Sequence, residues 1–312
     1  IVPFVVLAVG VVIFSAVVGG RFFAPFNLSL IMQQVTVIAI IGIAQTLVIL
    51  TAGIDLSVGA IMILASIIMG KLAVQAGVPV PIAFTLGLAA GAACGAINGL
   101  IVTFLRLPPF IVTLGTWNVF GAVFLWYSAS QTIRAQEVAA AAPFLQLTGT
   151  AWQVGGARLT LGGLVVLAVA AAVWYILNRT PFGRHVYATG DDPEAARLSG
   201  IDTRRVLFSV YTLAGVICGV GAWVLIGRIG GISPTSGATT NLDSITAAVI
   251  GGTSLFGGRG SIVGTLIGAL TVGVFRNGLA LSGLDALWQE FAVGILIIVA
   301  VGLDQWIRRV SS

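Results

Sequence analysis

Residues 28–49 read LSLIMQQVTVIAIIGIAQTLVI, an uninterrupted run in which no side chain is charged. A helix needs about 20 predominantly apolar residues to cross the hydrocarbon core of a bilayer, and this run meets that length. Because a helix satisfies its backbone hydrogen bonds within itself, it is a stable form for such a run in lipid. The stretch therefore predicts a membrane-spanning helix.

The rest of the chain has the same character. Of its 312 residues, 58% are hydrophobic and 8% are charged, and the mean hydropathy is +1.10. A soluble domain carries about 25% charged residues, so the composition excludes a soluble enzyme, a disordered protein and a secreted disulfide scaffold. We predict an all-α, polytopic membrane protein of about ten transmembrane helices, with residues 1–312 forming one transmembrane domain. The expected spans are residues 2–20, 28–49, 56–76, 81–104, 110–128, 160–178, 206–227, 243–257, 262–281 and 287–304.

Two regions qualify this count. Residues 240–281 are rich in Gly, Ser and Thr, and they fit either two short spans or one span with a re-entrant piece. The chain begins at Ile1 rather than at a methionine, so we expect a polar N-terminal tail to precede it. The first apolar run lacks a small-residue cleavage pattern after it, which favours a span over a signal peptide.

The arginines predict the orientation of the chain. Ten spans place both termini on the same side of the membrane. If that side is the cytoplasm, most of the lysine and arginine residues lie inside, with a concentration in the loop 179–205. This distribution agrees with the excess of basic residues in cytoplasmic loops of membrane proteins.

Glycine recurs at every fourth position in two of the predicted spans. Since every fourth residue lies on one face of a helix, such a run lets another backbone approach closely. Tight packing and a surface that slides between transport states both explain the pattern. The glycines are Gly87, Gly91, Gly95 and Gly99 in one run, and Gly260, Gly264 and Gly268 in the other.

The loop 179–205 contains signals for a short helix. Asp192 is a good N-cap, Pro193 fits the first helical position, and Gly200 is placed to end the helix. A helix of about seven residues is marginal alone in water, and a chain without a soluble domain offers it little to pack on. We therefore expect it to bind a groove on another protein, with a capped connector helix as the alternative.

Sites for nucleotide hydrolysis, catalysis and metal binding are not expected. The sequence has no Gly-x-x-x-x-Gly-Lys-Ser/Thr loop for ATP, no nucleophile–base pair, and a single histidine, His185, which lies in a polar loop. The net charge of +5 is not concentrated on a basic face, which argues against nucleic acid. We place Asp55 and Asp243 at span edges. We therefore expect that the chain is not an enzyme and needs no cofactor. The energy for any transport must then come from a partner protein or from an ion gradient.

Polar side chains inside the spans are candidates for a translocation path, because such residues usually face a cavity. Neutral amides and hydroxyls with nearby aromatic rings suit an uncharged sugar, although hydrogen bonds between helices explain each amide equally well. Arg276 must extend to the membrane surface or form an ion pair, with Glu290 or Asp243 as its partner. The candidates for the path are Gln45, Asn98, Phe110, Thr113, Trp117, Asn118, Asp243, Ser244, Arg276 and Asn277, with Gln33 and Gln34 also polar at membrane depth.

Four segments carry a family likeness: LTAGIDLSVG at 50–59, PFIVTLG at 109–115, the loop 183–200, and GGTSLFGGRG at 251–260. With them, nearly the whole chain resembles the membrane permease of bacterial sugar ABC importers of the ribose, xylose, arabinose and fructose type. Residues 187–199 and 303–309 look most like fructose permeases.

The resemblance implies a multi-pass protein of the bacterial inner membrane. Its implied partners are a second permease copy in a homodimer, cytoplasmic ATP-binding subunits, a periplasmic sugar-binding protein, a monosaccharide substrate and membrane lipid. In such importers a cytoplasmic coupling helix transmits the motion of the ATPase, and residues 191–200 match its position. The residues expected to couple to the ATPase are Gly190, Asp191, Asp192, Glu194, Ala195, Ala196, Arg197 and Gly200.

The leading functional hypothesis is therefore the permease subunit of an ATP-driven importer for a monosaccharide, fructose or a ribose-like sugar. The alternative is a secondary transporter or channel driven by an ion gradient. That class would require buried, unpaired acids in the middle of the membrane, which the sequence does not indicate.

Overall fold

The computed structural model describes residues 2–237, 239–285 and 287–295, together with residues 298 and 302. Eight described helices are long and apolar enough to cross a membrane. They are α1 (Val2–Val18), α2 (Pro25–Leu50), α3 (Val58–Gly70, continued by a π-helical turn Lys71–Gln75), α4 (Val80–Phe104), α5 (Pro109–Ser128), α7 (Leu161–Arg179), α10 (Thr203–Ile229) and α12 (Ile262–Leu281).

Shorter elements connect these helices. They are α6 (Ala135–Ala141), α8 (Pro181–Asp191), α9 (Pro193–Leu198), α11 (Thr240–Ile250), 3₁₀ turns at Gly19–Arg21 and Pro143–Gly149, and strands β1 (Ala151–Val154) and β2 (Ala157–Thr160). The two strands form an antiparallel hairpin. Residues 287–295 are helical as well. The architecture is therefore an all-α membrane bundle, as predicted.

Proline sets where several helices begin. Pro25, Pro109, Pro181 and Pro193 each occupy the first position of a helix. The missing N–H of proline costs nothing there, because the first amides of a helix have no partner within it. The sequence therefore specifies these boundaries locally, before any packing is considered.

Helix α2 forms the centre of the bundle. From Val35 to Leu50 all its residues are buried, and they pack against α10, α11, α12, α3 and α7. A helix that is apolar on every side is stable either in lipid or among other helices. Helix α1 is at least as apolar as α2 but has few buried residues, so the central position of α2 follows from its contacts and not from its composition alone.

The contacts of α2 define two ends of the bundle. The last residue of α2, Leu50, contacts Gly258 and Gly190. Helices α8 and α9 lie on the same side of the bundle, and we call this side the basic end. At the opposite side, the backbone amide of Arg158 in β2 donates to Ser29 Oγ in α2 at 2.7 Å. We call that side the hairpin end.

Helices α4 and α10 pack together more extensively than any other pair of described helices. Gly91 and Gly95 of α4 lie against Gly215 and the backbone of Tyr211 in α10, so an added Cβ would collide with main-chain atoms. Gly99 lies against Phe208 of α10, and Gly87 lies against Met69 of α3. The small residues thus permit direct backbone contact between the helices.

The second glycine run is divided between two elements. Gly264 and Gly268 lie on α12 and contact the backbone of Gly251 and Ala247. Gly260 precedes the helix, which begins at Ile262, and it faces Thr253 in the loop before α12. The expectation that Gly260 shares a helix face with the other two is wrong, because Ser261 caps the helix after it by accepting from the amide of Gly264 at 3.0 Å.

The prediction of a span at 243–257 is also wrong. The helix there is α11, whose 11 residues extend about 16 Å at roughly 1.5 Å per residue, about half of the hydrocarbon thickness. Residues 251–257 form a loop at the basic end instead. The chain returns from the hairpin end through non-helical residues 231–237, and α11 covers only the second half of this crossing. Of the expected span at 287–304, residues 287–295 are helical and the remainder, apart from residues 298 and 302, lies outside the described residues.

Candidate transport and coupling sites

The segment between α2 and α3 folds back into the bundle. After Leu50 the chain reverses, and the backbone of Asp55 lies beside the side chain of Gln45, more than one turn inside the end of α2. With its amide oriented to satisfy both groups, Gln45 donates to the Asp55 carbonyl at 2.9 Å and accepts from the Asp55 amide at 3.2 Å. Gln45 thus satisfies the backbone N–H and C=O groups of Asp55, which lies in the non-helical connection between α2 and α3.

The side chain of Asp55 is buried, with 1% of its surface exposed. Its Oδ1 accepts from the backbone amide of Ser57 at 2.7 Å and from Ser57 Oγ at 2.6 Å. Asn98 Nδ2 of α4 donates to Ser57 Oγ at 2.8 Å. The expectation that Asp55 lies at a span edge is wrong, because the reversal after Leu50 carries it into the bundle.

Two further contacts hold this segment. Thr113 Oγ1 of α5 accepts from the amide of Leu56 at 3.1 Å and donates to the carbonyl of Ile54 at 3.0 Å. The amide of Gly59 donates to Asn241 Oδ1 at 2.8 Å, which joins the start of α3 to the start of α11. The non-helical segment before α3 and the start of α11 therefore meet inside the bundle.

The polar residues predicted for the path fall into distinct groups. Gln45, Asn98 and Thr113 are fully buried around residues 51–57, and each holds that segment in place. By contrast, Phe110, Trp117 and Asn118 lie on the exposed face of α5. These three are the members of the predicted set that a molecule outside the chain can reach.

Two more members of the set, Asp243 and Arg276, lie on α11 and α12. Arg276 contacts Asp243 through Nε at 3.1 Å and Nη2 at 2.7 Å, and its Nη1 contacts Glu290 Oε1 at 2.9 Å. Asp243 is buried rather than at a span edge, since α11 begins inside the bundle. The expected ion pair of Arg276 is confirmed with both acids.

The remaining two members of the set bond within the bundle. Asn277 Nδ2 donates to Asn27 Oδ1 at 2.8 Å, linking α12 to α2. Ser244 is fully buried and donates to the carbonyl of Asn241 at 2.7 Å. Both residues therefore serve interhelical or local hydrogen bonds in this conformation.

The short helix expected after Asp192 is present as α9. Asp192 Oδ1 accepts from the amides of Glu194 and Ala195 at 2.9 and 3.0 Å, and Gly200 adopts a left-handed conformation with φ of 87°. Only Ala196 of this helix is buried. The other side chains of α9 point outward, including Leu198, which is 79% exposed and which the sequence analysis did not single out.

The sequence did not predict helix α8. The basic and polar residues of 181–191 have the composition of a loop, and the sequence predicts one there. Its buried face carries Val186 and Gly190, and a Cβ at Gly190 would overlap the carbonyl of Leu50. Tyr187 donates from its hydroxyl to the carbonyl of Gly260 at 3.0 Å, and burial raises the pKa of this phenol, which keeps it a donor. Helix α8 thereby connects α9 to the end of α2 and to the loop before α12.

Eight described helices are long enough to cross a membrane, and a capped short helix projects from one end of the bundle. The family described as the permease component of branched-chain amino acid transport systems matches residues 27–301. The chain belongs to this permease family.

Curated relatives refine the assignment. The permease is 54% identical to a fructose import permease of Rhizobium meliloti over 311 residues, which is 100% of this chain and 86% of that protein. It is 39% identical to a ribose import permease of Bacillus subtilis, covering 97% of this chain and 92% of that protein. It is 35% identical to a D-allose permease of Escherichia coli K12, with coverages of 98% and 91%. No solved structure matched the chain.

The permease is thus a multi-pass protein of the inner membrane and a sugar-import subunit of an ABC transporter rather than an enzyme. ATP is hydrolysed by a separate subunit of such a system. This assignment gives an ATP-driven importer in place of the ion-driven alternative. Asp55 is buried, but it accepts two hydrogen bonds from Ser57 and is therefore not the unpaired acid that the alternative required.

Proposed function

We propose that the permease imports a monosaccharide, fructose or a ribose-like sugar, through a path formed with a second copy of the chain. The observation that carries the choice of sugar is the 54% identity to a fructose import permease along the whole chain. A periplasmic sugar-binding protein delivers the substrate to the hairpin end, and the basic end faces the cytoplasm. This orientation agrees with the concentration of arginines in the loop 179–205.

Helix α9 is proposed to be the contact with the ATPase. It projects from the basic end with only Ala196 buried, so Glu194, Arg197 and Leu198 are available to a partner. A helix of six residues gains its stability from its cap and its contacts rather than from its length, so a groove on a partner would hold it in place. This position supports the exposed members of the predicted coupling set, which are Asp191, Asp192, Glu194, Ala195, Arg197 and Gly200. Gly190 and Ala196 are buried against the bundle and do not face a partner.

The exposed face of α5 is proposed to line the path. Helix α5 packs chiefly against α3 and α4, which leaves Phe110, Trp117 and Asn118 uncovered. Nothing lies within 4 Å of the position that a Cβ at Gly115 would take, so the face has a recess beside these side chains. A second permease facing this surface would enclose a channel with rings for sugar stacking and an amide for hydroxyl groups.

Transport in a reconstituted system tests this function. The permease is placed in liposomes with its ATPase inside and its sugar-binding protein outside, and uptake of labelled fructose is measured with and without ATP. We expect ATP-dependent uptake that an ionophore leaves unchanged and that excess unlabelled ribose reduces less than excess fructose does. Uptake by the permease alone that an ionophore abolishes would contradict the proposal.

The homodimer has its own test. A cysteine introduced at Asn118, which is exposed, is expected to crosslink two copies through a short bifunctional reagent. A cysteine at the exposed Ala171 of α7 is the matched control and should stay uncrosslinked. Equal crosslinking at both positions, or none at position 118, would contradict a path lined by α5.

A further inference from the structure

A cavity of about 210 Å³ opens at the hairpin end between α2, the start of α7 and the end of α10. Its walls include Arg158 of β2, Arg228 of α10, Gln33 and Thr148. All four side chains carry hydrogen-bonding groups, and two are guanidinium groups. The cavity therefore combines concentrated positive charge with several neutral polar groups.

Neither arginine forms a salt bridge with an acid in the described part of the chain, a property that they share with most of its arginines, but these two line the same cavity. Arg158 is fixed through its backbone, because its amide donates to Ser29 Oγ at 2.7 Å. A guanidinium group presents a planar fork of N–H donors that matches a phosphate group well. Two such groups in one cavity indicate an anionic ligand.

A second, apolar cavity of about 540 Å³ adjoins the first. The two share Thr36 and Thr160, and the second continues along α2, α7 and α12 toward the interior of the membrane. Leu164 and Leu167 of α7 line it and are more than half exposed, so it opens toward the surroundings of the bundle. Trp152 of the hairpin lies at its mouth, where amphipathic rings are common at a membrane interface.

We propose that these cavities together bind one phospholipid, with its phosphate between Arg158 and Arg228 and one acyl chain in the groove along Leu164 and Leu167. The charged cavity lies at the hairpin end and the apolar cavity continues from it into the bundle. A phospholipid has the same order, with its phosphate at the interface and its acyl chains in the membrane. A free sugar would leave the apolar groove empty and both charges unpaired. A bound lipid would join the hairpin, α2, α7, α10 and α12, which are the elements that surround the cavities.

Native mass spectrometry of the purified permease, titrated with palmitoyl-oleoyl phosphatidylglycerol, tests this site. The double variant Arg158→Gln, Arg228→Gln is expected to bind this lipid about tenfold more weakly, because it loses the charge-assisted hydrogen bonds to phosphate. Arg21→Gln is the matched control, since Arg21 is exposed at the same end and lines neither cavity.

A second variant tests the groove without changing charge. Gly163 lines the apolar cavity and has no atom within 4 Å of its Cβ position, so Gly163→Phe fits the helix and fills the groove. It is expected to weaken lipid binding, while Ala172→Phe, exposed on the opposite side of the same helix from Gly163, leaves binding unchanged.

Three results would overturn the proposal. The first is equal lipid binding by the double arginine variant and Arg21→Gln. The second is displacement of the lipid by millimolar inorganic phosphate, which would show that a free anion occupies the site. The third is a shift of Gly163→Phe from dimer to monomer with lipid binding unchanged, which would assign the groove to a second copy of the chain.

Discussion

The backbone amide of Gly258 donates to the carbonyl of Leu50 at 3.0 Å, so the loop after α11 is tied to the last residue of α2. Gly190 of α8 packs on the same junction, where a Cβ would overlap the Leu50 carbonyl and lie 2.7 Å from the Gly258 nitrogen. The junction thus connects the proposed ATPase contact to the non-helical segment 51–57 and to α11, because α2 leads to Asp55 and the loop leads back to α11.

Gly190→Ala is expected to separate ATP hydrolysis from transport. The added methyl group meets backbone on both sides, so α8 must move away from the junction rather than rearrange a side chain. We expect transport by the reconstituted complex to fall about tenfold while ATP hydrolysis continues. Gly294→Ala, where nothing lies within 4 Å, is the control. Normal transport by Gly190→Ala would mean that the junction does not transmit motion.

Leu198→Ser is expected to weaken binding of the ATPase to the permease. Leu198 is 79% exposed on α9, and burial in a groove of the partner would remove most of its apolar surface from water. Loss of that burial predicts about a tenfold rise in Kd, which is measured with the purified subunits in detergent. Leu198→Met keeps the apolar surface and should bind as the wild type does. An unchanged Kd for Leu198→Ser would place the contact elsewhere.

The structure separates two amides that the sequence treats alike. Asn98→Leu removes the donor to Ser57 Oγ inside the bundle and is expected to lower the free energy of unfolding by about 2 kcal/mol. Asn118→Leu lies on the exposed face of α5 and should change stability by about 0.5 kcal/mol or less, while it slows sugar flux. Denaturant unfolding and fructose uptake are measured on both. Equal loss of stability in the two variants would contradict these assignments.

Asp243 and Arg276 are expected to depend on each other. Their side chains are 7% and 18% exposed, so removing either one leaves a largely buried charge without its main partner. Asp243→Asn and Arg276→Gln should each reduce the free energy of unfolding by about 3 kcal/mol, and the double variant by less than their sum. Glu290→Gln should cost about 1 kcal/mol or less, since that side chain is 46% exposed. Additive losses would show that the pair is not coupled.

The sequence predicted the long helices because each apolar run is local and of the right length for a bilayer. It also predicted α9, because Asp192 and Pro193 mark the start of the helix and Gly200 marks its end, all within one turn of the helix termini. It did not predict that residues 51–57 turn back into the bundle. The partners that stabilise that turn, Gln45, Asn98 and Thr113, lie on three different helices, and no local pattern connects them.

Helix α8 escaped prediction for a related reason. Arg184 and His185 lie on its exposed side and give the segment the composition of a solvated loop. Few of its residues are buried. Among them Val186 is apolar, and position 190 must be a glycine because a Cβ there would overlap the carbonyl of Leu50 in α2. Tertiary packing rather than helix propensity therefore decides the structure of this segment.

The backbone contact between α4 and α10 limits how the protein can move during transport. Gly91, Gly95 and Gly215 place two main chains together with no side chain between them to change rotamer. Any rotation of one helix against the other would drive peptide groups into each other, so the pair must travel as a single rigid body. The hinges of the transport cycle must then lie at its margins, where α5 packs on α4 and α7 packs on α10.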